Sequence, residues 1–329
     1  MRIGINGMGR IGRLLFRRLL NDPGITLVAV NDIMPADNLL YLLKYDSLYG
    51  RFMHELTLQA GSIVAGNKNI IVLQKEYPSQ LPWKALGVDV VLECSGKYSS
   101  LAAATGHLQA GAKKVLLSTT GSADIPLLIY GFNQHQLTSS TDIISPGGCM
   151  TNCSTHILAL LNTIGIESAH INILHSYTSR QELVDTAHPQ FRRGRAAAES
   201  IIPVEIDLVL ALERLLPLKD KLAAVSIRVP VTNGALADVT VQLTKQVTRQ
   251  QLNDLFKQAA QNEGKGIVEY TEDALVSADI KGNTHSCVID GSLTSVVGKQ
   301  VKIIAWFDNE YGYTSRMMDW LTHIRATMT

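Results

Sequence analysis

Three things are scarce in this chain of 329 residues, and each scarcity removes a class of function. Cysteine is the first. There are four, Cys94, Cys149, Cys153 and Cys287, with no paired spacing of the kind that builds a disulfide framework. A reduced, cytoplasmic setting is expected. The second scarcity is excess charge of either sign. Lys plus Arg is 30 and Asp plus Glu is 29, a net charge of +1, which gives no general attraction for nucleic acid or an anionic membrane. The third is long apolar runs. Stretches such as 125–129 and 157–161 fall far short of the roughly 20 residues needed to cross a bilayer. The opening MRIGING leads straight into a strand-turn-helix pattern, so no signal peptide is expected. No internal repeat and no low-complexity segment appears.

The first half alternates short apolar runs with helical periodicity. Strands are expected at 2–6, 26–31, 88–93, 115–118 and 142–145, with helices at 11–20 and 101–110. Such alternation implies βαβ units and a mostly parallel sheet. The second half reads differently. Strands are expected at 169–177, 223–231, 235–244 and 301–307, with one helix at 250–260 among them and another at 314–325. Few helices between strands imply a mostly antiparallel sheet. The basic stretch 189–203 shows little periodicity and is expected to be a loop. The boundary between the halves is expected near residue 148.

Gly7-Met8-Gly9-Arg10-Ile11-Gly12 is a G-x-G-x-x-G that follows a strand and opens a helix. The hexapeptide alone also occurs in ligand-free turns. Here Asp32 follows, 20 residues after Gly12 and just past the second strand. The glycines allow a tight turn and close backbone approach to a pyrophosphate, which the N–H groups and dipole at the helix start favour. Asp32 would bond the adenosine ribose and repel a 2′-phosphate, so NAD is expected rather than NADP. Ser95-Gly96 and Ser118-Thr119 end later strands on the same sheet edge, where ligands of such sheets bind. Taken singly, each reads equally as an ordinary turn.

Cys149 sits where Ser145-Pro146-Gly147-Gly148 gives way to an apolar helix. A helix N-terminus lowers a thiol's pKa, so Cys149 is expected to be the nucleophile, with a free N–H at the same end for an oxyanion. The C-x-x-x-C of Cys149 and Cys153 has no second pair, which argues against zinc, and no metal is expected. Cys153 reads as a packing residue. His175, at the end of a strand in LHSYTS, is the expected base, paired as imidazolium with the thiolate. His156 is a rival on the same helix face but lies two turns from the helix start. The other histidines, His107 among them, read as surface or packing residues.

INGMGRIGR, the C-x-T-N-C around Cys149, HSYT at His175, RRGRAAAESIIP, IRVPVTN and WFDNEYGYTSRM run in order along the whole chain. Together they resemble the glyceraldehyde-3-phosphate dehydrogenase family. The resemblance implies a Rossmann NAD-binding domain over 1–148, an α+β catalytic domain over 149–312, and a C-terminal helix over 313–329 that packs back on the first domain, in a homotetramer. It implies that Cys149 attacks an aldehyde and that His175 takes the proton while hydride passes to NAD. It assigns Ser95, Gly96, Ser118, Asn309 and Tyr313 to the cofactor, the last two at the nicotinamide. Thr178 and Arg228 would hold the substrate's phosphate, and the segment 191–203 would lie near the cofactor and the tetramer centre.

The chain departs from the pattern where phosphorylating members bind inorganic phosphate. Gly148 and Met150 flank the nucleophile, and Ile206 and Asp207 stand where a Thr-Gly pair is usual. A carboxylate there would repel phosphate by roughly 1 kcal/mol at ~4 Å in water, and several-fold more in a drier site. Hydrolysis of the thioester becomes the expectation. Arg180 replaces an acid of the substrate-phosphate motif, and both a phosphate contact and a solvent-facing side chain fit the sequence. LPWKALGVDVVLECSGKY, YGFNQHQL, HPQFRRGRAAAESIIPV and HSCVIDGSLTSVVG resemble the erythrose-4-phosphate dehydrogenase branch. The expectation is therefore oxidation of erythrose 4-phosphate to 4-phosphoerythronate, a step towards pyridoxal phosphate. The alternative is phosphorylating oxidation of glyceraldehyde 3-phosphate, since HSYTSRQ keeps the Tyr-Thr of the glycolytic enzymes. A non-catalytic NAD-fold binding protein is disfavoured by the neutral charge and by the retention of Cys149, His175 and Asp32.

Overall fold

The computed structural model describes residues 1–328. The chain divides into two compact units, Met1–Gly148 joined by the end of the chain from Arg316, and Cys149–Ser315.

The first unit begins with β1 (Arg2–Asn6), α1 (Arg10–Leu19), β2 (Thr26–Asn31) and α2 (Ala36–Lys44). Three short strands follow, β3 (Thr57–Gln59), β4 (Ser62–Ala65) and β5 (Lys68–Leu73). Then come β6 (Val90–Glu93), α3 (Leu101–Gln109), β7 (Lys114–Leu117) and β8 (Ile143–Ile144). The sheet order is β3-β4-β5-β2-β1-β6-β7-β8. It is parallel from β5 to β8, with β3 and β4 antiparallel at one edge. The central strands are apolar and buried on both faces, as a sheet covered by helices on both sides requires. Register sets Asn6 beside both Asn31 and Glu93, and Glu93 beside Leu117. The strand ends therefore form one edge, from which the connecting turns rise.

The second unit opens with α4 (Cys149–Asn162) and β9 (Ile166–Ser176). After a long segment come β10 (Ile202–Val204), α5 (Leu208–Leu215), β11 (Leu222–Val229), β12 (Ala235–Leu243) and α6 (Arg249–Gln261). The unit continues through β13 (Val268–Thr271), β14 (Cys287–Asp290), β15 (Ser295–Val297) and β16 (Gln300–Phe307). Its sheet is mostly antiparallel, in the order β10-β11-β9-β12-β16-β14-β13 with β15 on β16. Two parallel pairs, β9 with β11 and β13 with β14, interrupt the antiparallel pattern that the sequence implied. β12 alternates buried and half-buried residues along its length, the mark of a strand with one face in the core. α6 starts at a capping box, Thr248 and Gln251, that satisfies two orphan N–H donors. The last helix, α7 (Tyr311–Thr327), starts in this unit. Its later part belongs to the first, where Trp320 and His323 meet the Tyr130 ring edge-on, centroids 5.7 and 6.2 Å away.

The segment 189–203 is not wholly irregular. It holds one 3₁₀ turn, Phe191–Gly194, and its end enters β10, paired with β11. No helix among the described residues is long and apolar enough to cross a membrane.

Candidate functional site

In the first unit the chain leaves β1 at Asn6, turns through Gly7 and enters α1 at Arg10. Gly7 adopts φ +92°, and a Cβ there would lie 2.3 Å from the Ser95 nitrogen. A Cβ on Gly12 would lie 2.1 Å from the Gly7 oxygen. The turn thus rests on the Cys94–Ser95 backbone, and the helix start rests on the turn, so neither position admits a side chain. Asp32 accepts from the Met8 N–H at 2.6 Å and the Met34 N–H at 3.0 Å, which ties the turn to the end of β2.

Beside the turn lies a cleft of about 650 Å³ whose lining includes Gly7, Gly9, Asp32, Met34, Ser95 and Lys97. A Cβ on Gly9 would meet nothing within 4 Å, so the backbone faces open space where a ligand fits closely. The first turn of α1 carries no acidic residue, and Lys75 and Lys97 line the cleft. N–H groups at a helix start, two lysines and the Asp32 carboxylate form a donor and acceptor set with which a dinucleotide is compatible. The lining brings together Gly7, Gly9, Asp32 and Ser95 of the expected residues and leaves out Arg10, Ile11, Gly12, Gly96 and Ser118. Arg10 is instead paired with Asp46, at 2.5 and 3.2 Å. Ile11 is half-buried. The Ser118 side chain hydrogen-bonds Cys94.

In the second unit Cys149 is the first residue of α4, and its Sγ lies 3.7 Å from His175 Nε2 at the end of β9. His175 Nδ1 is 2.7 Å from the Ser176 carbonyl. A carbonyl only accepts, so Nδ1 carries the hydrogen and Nε2 offers its lone pair to the sulfur. Burial, with the Arg228 charge adding to it, pulls His175 down to about 3. Burial pushes the Cys149 thiol up to about 11, against the pull of Arg228 and of the Met150 and Cys149 backbone N–H groups. Burial thus opposes the helix end, favouring the neutral form of each partner, while Arg228 and the two backbone N–H groups favour the thiolate. His156 lies buried farther along α4. Cys153 and Cys287 are fully buried.

Around this pair stands a cluster of cations. Arg228 and Arg193 are 7% and 8% exposed. Burial and the mutual repulsion of Arg193, Arg180 and Arg228 bring Arg228 down to about 10, despite the attraction of Cys149. Burial and Arg180 lower Arg193 as well. Thr178 donates through its N–H and its hydroxyl to Gln181 Oε1, each at 2.9 Å, which leaves the Gln181 amide nitrogen to donate elsewhere. Three buried donors have no hydrogen-bond partner among the described residues: Arg228 Nε, Arg193 Nη1 and Gln181 Nε2. Donors left this way are costly unless an anion completes them. Arg180 is exposed, yet its charge reaches both buried arginines. Arg193 and Gln181 were not singled out from sequence, although the basic run RRGR and the HSYTSRQ motif contain them.

Asn309 Oδ1 accepts from Ser176 Oγ at 3.2 Å and from the Gly234 N–H at 3.1 Å, so its amide nitrogen is oriented as a donor. Tyr313 is 4% exposed on the first turns of α7. Among the described residues no group of three or more His, Cys, Asp or Glu is placed to hold a metal.

Two family models match the chain. The glyceraldehyde 3-phosphate dehydrogenase NAD-binding domain covers residues 1–101, and the C-terminal domain of the same family covers residues 148–309. Glyceraldehyde-3-phosphate dehydrogenase 2 of Bacillus subtilis is 40% identical over 100% of this chain and 98% of its own length. Glyceraldehyde-3-phosphate dehydrogenase of Geobacillus stearothermophilus is 41% identical over 99% of this chain and 98% of its own length. That of Borreliella burgdorferi is 41% identical over 97% and 98%. These names favour the alternative substrate of the sequence reading over erythrose 4-phosphate. Both domain matches and full-length relatives at about 40% identity show that the chain belongs to the glyceraldehyde-3-phosphate dehydrogenase family and is an NAD-dependent aldehyde-phosphate dehydrogenase.

Proposed function

We propose that the protein oxidises glyceraldehyde 3-phosphate through a thioester on Cys149. The observation that carries this reading is the Cys149–His175 contact of 3.7 Å beside three partnerless buried donors on Arg228, Arg193 and Gln181. Those donors, with Thr178, fit the substrate's phosphate, and the exposed Arg180 adds charge at its rim.

The chemistry follows from the Cys149 sulfur facing the Nε2 lone pair of His175. The Cys149 thiol gives its proton to His175 Nε2 as sulfur adds to the aldehyde carbon. Arg228 and the N–H groups of Cys149 and Met150 stabilise the charge on sulfur as it develops. The imidazolium returns that proton to the alkoxide oxygen, which gives the hydroxyl of the adduct and frees Nε2, and His175 then accepts the hydroxyl proton as the carbon is oxidised. NAD supplies the hydride acceptor for that step. In this chain Gly7, Gly9, Asp32 and Ser95 would hold its adenosine and pyrophosphate, with Asn309 and Tyr313 assigned to the nicotinamide. The backbone N–H groups of Arg10, Ile11 and Gly12 at the start of α1 would meet the pyrophosphate, with Gly96 and Ser118 on the neighbouring strand-end turns.

A second reading concerns the acyl acceptor. Gly148, Met150, Ile206 and Asp207 offer no hydroxyl to an inorganic phosphate, and the Asp207 side chain adds a negative charge. This favours water as acceptor and keeps erythrose 4-phosphate as a second aldehyde. NADH formation from each aldehyde phosphate, with and without inorganic phosphate, separates the readings. Leu183, Val184, Phe191 and Ile201 are each at least 70% exposed within one segment, which supports burial in a homotetramer. Four unpaired cysteines support a cytoplasmic location.

A further inference from the structure

Beneath the cofactor cleft lies a chain of buried polar side chains for which the oxidation has no direct use. Trp83 Nε1 donates to His107 Nδ1 at 3.0 Å. An indole N–H only donates, so Nδ1 accepts, and Nε2 carries the ring's hydrogen. That hydrogen points to Glu93 Oε2 at 2.9 Å. The same carboxylate oxygen accepts from Asn6 Nδ2 at 2.5 Å. The other oxygen, Oε1, accepts from Ser95 N at 2.7 Å and Ser95 Oγ at 2.5 Å. Asn6 Oδ1 accepts in turn from Asn31 Nδ2 at 2.7 Å. Asn31 also bonds the Lys75 backbone through both ends of its amide, at 2.9 and 2.8 Å. Trp83 and His107 are 0% exposed and Glu93 is 2% exposed.

A carboxylate this deeply buried is tolerated only when donors meet its oxygens. Here four donors do so and none is a cation. They come from the end of β1, from the residues after β6 and from α3, and Asn6 extends the tie to the end of β2. The arrangement holds three neighbouring strand ends at one height. That height matters because Gly7 sits against Ser95 closely enough to exclude a Cβ. Whatever fixes the Ser95 backbone also fixes the glycine turn. Asn6, Asn31, Lys75 and Ser95 all line the cleft, whereas Glu93 and His107 do not.

We propose that Glu93, held by His107 and Trp83, is a positioning residue for dinucleotide binding: it sets the glycine turn and the Ser95 edge of the cleft without touching the ligand. The proposal rests on the cleft being the NAD site. It gives His107, which the sequence pattern leaves among packing residues, a defined task as an N–H donor to the carboxylate.

The test is NAD titration by calorimetry on the full-length enzyme, with Glu93→Gln, His107→Leu, His107→Gln and Asp32→Ala. Glu93→Gln sets an NH2 group against two buried donors. The NAD Kd is expected to rise about 10- to 100-fold. At saturating NAD, kcat and the rate of Cys149 alkylation should stay within about twofold, since neither depends on the height of the turn. In the cofactor-free enzyme, amides of residues 7–12 and 95–97 should exchange faster, while those of α6 do not. His107→Gln retains an amide N–H for Glu93 and should bind NAD better than His107→Leu. That pair decides the matter if Glu93→Gln fails to fold. A folded Glu93→Gln with wild-type Kd, or equal binding by the two His107 variants, overturns the proposal. If Asp32→Ala weakens NAD while Glu93→Gln does not, the cleft stands and only the positioning role falls. If neither weakens NAD, the cleft is not the NAD site and the proposal falls with it.

Discussion

Replacing Arg228 by methionine should separate stability from function. The guanidinium is 7% exposed, its Nε has no partner, and its one recorded hydrogen bond, to the Ser176 carbonyl, is long at 3.4 Å. No acid lies within salt-bridge distance of it among the described residues, and it feels the repulsion of Arg193 and Arg180. Exchanging an uncompensated buried charge for an apolar side chain of similar volume is commonly neutral or stabilising, by about 1–4 kcal/mol. The melting temperature of ligand-free Arg228→Met should hold or rise. Function should move the other way. A hydrogen bond to a charged group contributes roughly 1.5–3 kcal/mol. At about 1.4 kcal/mol per tenfold, kcat/KM for glyceraldehyde 3-phosphate should fall roughly 10- to 150-fold. Unphosphorylated glyceraldehyde should lose less, because it feels only the weaker stabilisation of charge on Cys149. The assay is NADH formation with both aldehydes beside a thermal melt. Equal losses for the two aldehydes, or a lower melting temperature, would refute the reasoning.

Other expectations follow from the same geometry. The Cys149 thiol is raised to about 11 and His175 lowered to about 3, so the thiol is expected to be protonated at neutral pH. Iodoacetamide labelling of Cys149 should accelerate about tenfold per pH unit between roughly pH 7 and 9; a plateau in that window would show that Arg228 and the backbone N–H groups outweigh burial. Brief labelling followed by intact-mass measurement should find one addition, at Cys149, because Cys153 and Cys287 are fully buried and burial beside Glu93 raises the Cys94 thiol further than that of Cys149; labelling of either fully buried thiol in the folded enzyme contradicts the packing. Asp32→Ala should raise the NAD Kd about tenfold and improve NADP binding, since one carboxylate both faces the cleft and ties down Met8 and Met34; unchanged affinities for both cofactors would remove Asp32 from the site. Thr248→Ala should cost about 1 kcal/mol in denaturant unfolding through loss of the α6 cap; an unchanged midpoint would show the cap carries no stability.

Some features were legible from sequence because local pattern and fold agree. β1 and β2 were expected at their observed bounds, and the glycine turn falls between β1 and α1 because its close contacts demand glycine. α4 opens at Cys149, where the Ser-Pro-Gly-Gly stretch ends. What the sequence hid depends on distant neighbours. α2 and the short strands β3 to β5 lack a strong period of their own and are held by the sheet edge. α5, with its apolar run LVLALERL, shows one buried face only once β11 packs against it. At Cys149 a helix end is visible in sequence, but the desolvation that opposes it is not. Arg193 comes within reach of Arg228 only because the segment after β9 folds back towards it, and His107 gains its partners only where β6 and α3 come together.

The most direct test of the account is rapid-mixing measurement of NADH formation from glyceraldehyde 3-phosphate and NAD, with the wild type and Cys149→Ser, in the absence and presence of inorganic phosphate. The account predicts that wild-type enzyme without phosphate forms a burst of NADH equal to its active sites, leaves an acyl group on Cys149 that intact mass detects, and that Cys149→Ser gives neither. Added phosphate should accelerate the steady rate if phosphate is the acceptor, and leave it unchanged if water is. NADH formation by Cys149→Ser at the wild-type rate, or turnover with no acyl group on Cys149, would contradict the central claim.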